Sequence, residues 1–280
     1  MIIPPLTRAS WLGKHRIDLE SCGSTNDEAA RLARAGASHG TIVISELQTA
    51  GRGRHGRVWR SPPGGLYLSA VLRPPLPLAM VPPMTLAIGI GVCDAVRACG
   101  VGGVLKWPND VLVDRLPAPG HRKLAGVLVE AQSQGGKLDA VVVGIGLNVR
   151  SERDDVATSL DAEFSTLPDQ RPFEREVVIE RLLGHVERWV DRYIAIGLAA
   201  VIPAWHERMA HGLMARATVD GEHVIGEVMG LDPEGALILR DGTGRVRRVR
   251  SGDVEVVDPR ATAMGAFGGE LVAAAPTLAC

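Results

Sequence analysis

Two periodicities run through this chain, and the change from one to the other divides it. "STNDEAARLARAG" (24–36) opens with N-cap residues, sets Asp27 and Glu28 in a first turn where the helix dipole favours acids, and ends on Gly36 as a C′ residue. That combination predicts a helix. "TIVISELQ" (41–48) is a β-branched strand, "GGLYLSAVLRP" (64–74) alternates as a second, and "TLAIGIGVCDAVRACG" (85–100) reads as a buried helix stopped by Gly100. "GGVLKWPND" (102–110) is a strand running into a turn. "KLAGVLVEAQ" (123–132) and "LDAVVVGIGLNVR" (138–150) add two more strands, the second apolar enough to be buried on both faces. The polar, proline-bearing span 151–172 is a loop by composition. "EREVVIERLLGHVERWVDRYIAIG" (174–197) is a long amphipathic helix, and a shorter one around "AVIPAWHERMA" is expected with Pro203 at its start.

From about Leu213 the runs become short and β-branched, punctuated by "DG" at Asp220, "DPEG" at Asp232 and "DG" at Asp241. Turn signals at this spacing predict a small antiparallel barrel, with the arginines of "RVRRVR" on a solvated strand face. Beyond Pro259 the chain is rich in Ala and Gly without periodicity, which reads as a frayed tail. The expected organisation is a mixed α+β unit over 1–211, the barrel over 212–258, and the tail over 259–280.

Composition narrows the class. The 280 residues are 46% hydrophobic and 22% charged with net charge −1, so no electrostatic capture of nucleic acid or of an anionic membrane is indicated. Pro4 and Pro5 interrupt the segment where a signal peptide needs an apolar run, and no later run is expected to reach membrane-spanning length, which gives a cytoplasmic reading. The four cysteines are scattered without metal-ligand spacing; Cys93 and Cys99 lie in the apolar helical pattern as buried free thiols.

Candidate chemistry sits at the strand ends. "QTAGRGRHGRVW" (48–59) interleaves Gly51, Gly53 and Gly56 with Arg52, Arg54, His55 and Arg57. Glycine lets backbone N–H groups approach a ligand and arginine offers a fork matched to carboxylate or phosphate. Alone, the stretch is equally well a mobile surface loop. "KWPND" (106–110) places a cation, an aromatic and two oxygen-bearing side chains at a strand end; Asn109 and Asp110 are either an Asx turn or hard ligands for Mg²⁺. In "RKLAG" (122–126), Lys123 enters an apolar strand beside small residues, as an edge lysine or as a point charge for a ligand. "GIGLNV" (144–149) sets Gly144 and Gly146 in a buried strand that ends at Asn148.

Read together and in order, "STN" (24–26), "QTAGRGRHGRVW", "KWPND", "KLAGVLVE" and "GIGLNV" resemble the motifs of biotin protein ligases. The resemblance covers most of residues 17–150, with the small barrel where that family has one. It implies a class II aminoacyl-tRNA synthetase-like mixed sheet with helices, shared with lipoate ligases, followed by an SH3-like barrel. It also implies ATP, Mg²⁺ and biotin as ligands, a biotin carboxyl carrier domain of acetyl-CoA or a related carboxylase as partner, and two half-reactions through biotinyl-5′-AMP. Carried over by motif position, Arg52, Arg54 and Lys123 hold the carboxylate and the α-phosphate. Ser24, Thr25, Asn26, Gln48 and Gly53 belong to the biotin pocket. Arg57 meets the nucleotide phosphates with Arg54, Trp59 stacks over the ligands, Asn148 faces the nucleotide, and Asn109 and Asp110 place Mg²⁺.

His55 stands where many relatives carry arginine. Only 23 residues precede Ser24, too few for the helix-turn-helix of the bifunctional members at about 11 residues per helix, so no operator binding is expected. The rival readings are a lipoate ligase and a non-catalytic biotin-binding sensor. The sequence leaves a homodimer open.

Overall fold

The computed structural model describes residues 9–114, 120–150, 156–164 and 173–257. Its larger part is a seven-stranded mixed sheet built from β1 (Arg16–Leu19), β2 (Thr41–Ser45), β3 (Gly65–Leu72), β4 (Gly103–Lys106), β5 (Asp110–Asp114), β6 (His121–Gln134) and β7 (Lys137–Asn148). The order is β1-β2-β3-β7-β6-β5-β4. β1 and β2 run parallel, and the remaining neighbours are antiparallel. The helices are α1 (Thr25–Arg34), α2 (Val81–Ala98), α3 (Leu160–Phe164), α4 (Arg175–Ile196) and α5 (Leu198–His206).

Alternation along a strand sends successive side chains to opposite faces, and here the two faces differ in kind. Ile42 and Ile44, Leu66 and Leu68, and Val141, Val143, Ile145 and Leu147 enter the main core with α2 and α4. Each such side chain, fully withdrawn from water, contributes roughly 1.5–3 kcal/mol. On the other face Val43, Val71, Ala140 and Val142 pack against Ala29 and Ala33 of α1. Along those same strands that face then turns polar or bare, at Ser69, Gly144 and Gly146.

α2 starts earlier than expected, because Pro82 and Pro83 occupy its first turn, where a missing N–H costs nothing. The span Leu78–Ala98 is long and apolar enough to cross a bilayer, contrary to the expectation that no run would be. From Val81 on, most of its apolar residues are buried, packed against the sheet and α4. α5 begins after Gly197 at φ 75°, so Pro203 lies inside that helix and not at its start. β1 and β5 were not anticipated. Within the span read as a loop, α3 is helical; the rest of that loop and the tail after 259 lie largely outside the described residues.

The smaller part is the expected antiparallel β unit: β8 (Met214–Val219), β9 (Glu222–Leu231), β10 (Leu237–Asp241), β11 (Val246–Val249) and β12 (Val254–Val257). Their order is β11-β10-β9-β8-β12. Asp220 at φ 51° and Gly221 at φ 84° form the β8–β9 turn, the left-handed pair that a two-residue hairpin demands. The two parts are joined by polar contacts: Trp107 Nε1 donates to Gly235 O at 3.1 Å and Leu231 N to His206 Nε2 at 2.8 Å.

Candidate functional site

Where α1 no longer covers the sheet, a cleft opens over β3, β7 and β6. It is lined by Ser24, Thr25, Asn26 and Gln48 at one end and by Arg54, Lys106, Asp110 and Lys123 at the other. Gly126 and Gly146 pair across β6 and β7 and form part of its floor. Both are needed bare: a Cβ on Gly146 would stand 2.4 Å from the Trp59 ring, and one on Gly126 2.9 Å from it. A Cβ on Gly144 would strike Asn26 Oδ1 at 2.1 Å.

Lys123 reaches this cleft through a defect in the sheet. Val111 pairs with Ala125 and Leu112 with Lys123, so Leu124 is an extra residue on β6. Strict alternation would put Lys123 on the core face with Ala125 and Val127; the bulge sends Leu124 there instead and turns Lys123 to the side of Gly126. Its backbone is clamped as well, since Lys123 N donates to Val156 O at 2.9 Å and Thr158 N to Lys123 O at 2.9 Å. Residues 156–158, near the start of the 151–172 span, therefore hold the lysine's backbone.

Lys106 and Asp110 face each other across the tight β4–β5 hairpin. Asp110 is buried and pairs with Lys123 Nζ at 2.9 Å and Lys106 Nζ at 3.1 Å. Burial would raise its pKa; the two ammonium groups outweigh burial and hold it at about 2. Lys123 Nζ also lies 5.0 Å from the centre of the Trp59 ring. The pairing departs from the expectation that Asp110 serves Mg²⁺. Its carboxylate is already committed to two cations, which a directly ligated divalent ion would repel. Asn109 donates Nδ2 to Val127 O at 2.9 Å, and no cluster of three acidic, His or Cys side chains suited to a metal occurs among the described residues.

The loop 51–57 closes over the cleft with His55 at φ 54° and Gly56 at φ 75°. Its three arginines are in different states. Arg52 is engaged by Glu130 and Asp27 and does not point an unoccupied fork at Lys123. Arg57 pairs with Asp253, a residue of the smaller β unit. Arg54 Nη1 is buried with no hydrogen-bond partner, and burial lowers the pKa of that guanidinium, with Asp253 and Asp110 opposing the shift. Trp59 Nε1 is a second buried donor without a partner. Unmet donors in a cleft mark where a ligand's acceptors fit.

A chain of hydrogen bonds lines the opposite end. Gln48 Oε1 accepts from Thr25 N at 2.8 Å and Thr25 Oγ1 at 3.0 Å, while Gln48 Nε2 donates to Ser61 Oγ at 2.7 Å. Ser69 Oγ lies 2.7 Å from Thr25 Oγ1 and 2.6 Å from Asn26 Oδ1. Ser24 caps α1 without closing its side chain onto the helix backbone.

Ser24, Thr25, Asn26, Gln48, Arg52, Gly53, Arg54, Arg57, Trp59, Asn109, Asp110 and Lys123, all singled out in the sequence, thus meet in one cleft. Asn148 does not line it. That side chain is buried at the end of β7 and donates to Thr158 O at 2.9 Å, with Oδ1 unpartnered. Ser69, Glu130 and Asp253 were missed, and Lys106 was noted only as the cation of "KWPND", without a role. Counting by two from Gly126 along "GVLVE" would have put Glu130 on the cleft face; nothing local marked Asp253.

A cleft of this form, with hydrogen-bonding groups at one end and cations at the other over a glycine floor, suits a ligand with an uncharged polar end and an anionic end. Residues 20–148 match the biotin/lipoate A/B protein ligase family, and residues 216–257 match the biotin protein ligase C-terminal domain. The bifunctional ligase/repressor BirA of Bacillus spizizenii is 33% identical over 88% of this chain and 75% of its own. A biotin acetyl-CoA-carboxylase ligase of Paracoccus denitrificans is 34% identical over 79% of this chain and 92% of its own. The biotin protein ligase of Aquifex aeolicus in complex with biotin and ATP superimposes with TM-score 0.71 at 26% identity, covering 87% of this chain and 99% of that one. The chain belongs to the biotin protein ligases of the biotin/lipoate A/B protein ligase family.

Proposed function

We propose that this ligase forms biotinyl-5′-AMP from biotin and ATP and transfers the biotinyl group to a lysine of a biotin carboxyl carrier domain. The observation that carries the reading is the convergence, from separate segments, of α1 and Gln48 hydrogen-bonding groups with Lys123, Lys106 and Arg54 in one cleft. Ser24, Thr25, Asn26 and Gln48 take the uncharged ureido end of biotin, with Gly53 allowing close approach. The biotin carboxylate then lies toward Lys123.

In the first step a carboxylate oxygen attacks the α-phosphorus of ATP and pyrophosphate leaves. Two unit charges about 4 Å apart repel by about 4 kcal/mol at an effective dielectric of 20, so cations around the reacting oxygens are the main catalytic device. Lys123 and Arg54 supply them, with Lys106 behind; Arg57, released from Asp253, meets the outgoing phosphates. Trp59 stacks on the ligands over Gly126 and Gly146, and Asn109 borders the nucleotide. Asn148 acts through the backbone of Thr158. No step is routed through a protein-bound Mg²⁺, because Asp110 is held by the lysines.

In the second step the uncharged amine of the carrier lysine attacks the acyl carbon, AMP leaves, and one proton is lost to solvent. The loop over the anhydride keeps water from hydrolysing it first. Incubation with biotin, ATP and Mg²⁺ followed by mass measurement of a purified carrier domain tests the reading. A gain of one biotinyl group is expected, with none from lipoate; no gain from biotin refutes it.

A further inference from the structure

Glu130 has no place in the chemistry above, yet its carboxylate contacts Asn26, which does, and Arg52 of the loop over the cleft. It receives Arg52 in a fork, Nη1 to Oε1 at 3.0 Å and Nη2 to Oε2 at 3.1 Å. Oε2 also accepts from Asn26 Nδ2 at 2.6 Å. A carboxylate only accepts, so Glu130 obliges Asn26 to turn its NH₂ outward and leave Oδ1 to Ser69, 2.6 Å away. The orientation of Asn26 is thereby set from β6, and the order passes through Ser69 to Thr25, whose backbone N–H donates to Gln48 Oε1.

The same carboxylate ties down the first arm of the loop. Both terminal nitrogens of Arg52 are used, and Nη2 also donates to Asp27 Oδ1 at 2.7 Å. Asp27 is the weaker anchor, with one contact and a side chain 61% exposed against 35% for Glu130. A two-point charge-assisted pair fixes geometry in a way that one solvated contact does not. Arg52 is in this light a tether for the loop and not a clamp on substrate anions.

We infer that Glu130 is a positioning residue for biotin: it orients Asn26 and anchors the Arg52 end of the loop, so that the biotin end of the cleft is formed before substrate arrives. This rests on the reading that biotin binds beside the start of α1. Glu130→Gln keeps the size of the side chain but presents an NH₂ to one of two donors. In the full-length enzyme it raises both the calorimetric Kd and the KM for biotin roughly tenfold, the scale of one hydrogen bond to a charged group. The KM for ATP and the thermal midpoint stay where they were, and trypsin cuts the 51–57 loop faster in the absence of ligand. Glu130→Asp, which keeps the charge but is shorter, recovers part of the affinity, and Glu28→Gln, at an acid of α1 paired with Arg31, changes nothing. Unchanged biotin binding in Glu130→Gln overturns the inference while leaving the proposed function standing. Equal rises in both KM values with a lowered thermal midpoint overturn it too, in favour of a general structural role. If the unaltered enzyme binds no biotin, the proposed function falls first and this inference with it.

Discussion

The same three strands carry two different surfaces. Toward α2 and α4, β3, β7 and β6 present Leu66, Leu68, Val143, Ile145, Ala125 and Val127, all buried. One residue along, toward the cleft, they present Ser69, Gly144, Gly146, Gly126 and Glu130. One side is filled by its own side chains. The other is left low so that Trp59, the arginine loop and a ligand can fill it. A period of two lets a central strand be core and binding floor at once, and the switch at Leu124 shows how little is needed to change a residue's side.

The largest expected effect lies on the cleft side. Lys123→Ala removes a cation from the reacting oxygens, and the rate of biotinyl-5′-AMP formation, read as pyrophosphate release, should fall by at least about a hundredfold. Circular dichroism and the cooperativity of unfolding should stay unchanged, because Lys123 buries no apolar surface of the core. Loss of folding in this variant would mean that the two faces are not separable.

A pair of neighbouring substitutions sharpens the contrast. Ile145→Ala opens a hole on the core side and should cost about 2–5 kcal/mol in urea unfolding, with kcat of the folded fraction unaltered. Gly146→Ala, next in sequence, puts a methyl where the Trp59 ring lies and should reverse the pattern. Its stability should shift by less than about 1 kcal/mol while kcat/KM for ATP falls about tenfold. Similar stability losses in both would break the comparison.

How far the sequence foretold this depends on whether the signal was local. The α1 helix could be read because Asp27, Glu28 and Gly36 mark its ends within one stretch, and the β8–β9 hairpin because Asp220-Gly221 is itself the turn. The glycines of "GIGLNV" and "KLAG" could be read as small, but not as a floor, since only the β6–β7 register brings Gly126 opposite Gly146. β5 went unseen because it begins at Asp110, in the turn of its own hairpin, where turn chemistry masks a strand start. The roles given to Arg52 and Asp110 were carried over by motif position and took no account of the partners these charges find in the fold. Their partners Glu130, Asp27, Lys106 and Lys123 come from two strands and a helix, and except for Lys106, four residues from Asp110, they are brought in from distant segments, which leaves no trace in a local pattern.

Asp110 gives the next effect in size. Its carboxyl titrates at about 2 in the fold against 3.8 as its ordinary value. A depressed carboxyl stabilises the folded state above its unfolded pKa, and that contribution is lost as pH falls from about 4 toward 2. The difference corresponds to roughly 2 kcal/mol of acid-sensitive stability. Urea midpoints measured from pH 5 to pH 2 should therefore drop less steeply in Asp110→Asn than in the unaltered enzyme; identical slopes would show that the lysines do not hold this carboxylate in solution.

The smallest effect belongs to the contact between the loop and the smaller β unit. Arg57 and Asp253 are both partly solvated, with side chains 46% and 35% exposed, and such a pair contributes at most about 1 kcal/mol because water and salt screen it. Asp253→Asn should accordingly leave the unfolding midpoint almost unmoved. Its consequence is on the ligand side. With Asp253 neutral, Arg57 no longer has a competing anion in the ligand-free cleft, so ATP binding measured by calorimetry should tighten by about twofold to fivefold at low salt and by less at 0.5 M, where screening weakens the competitor in the unaltered enzyme as well. Weaker ATP binding in Asp253→Asn would mean that the carboxylate holds Arg57 in its working place, and the smaller β unit, which already lines the cleft through Asp253 and Val254, would then take part in binding the nucleotide.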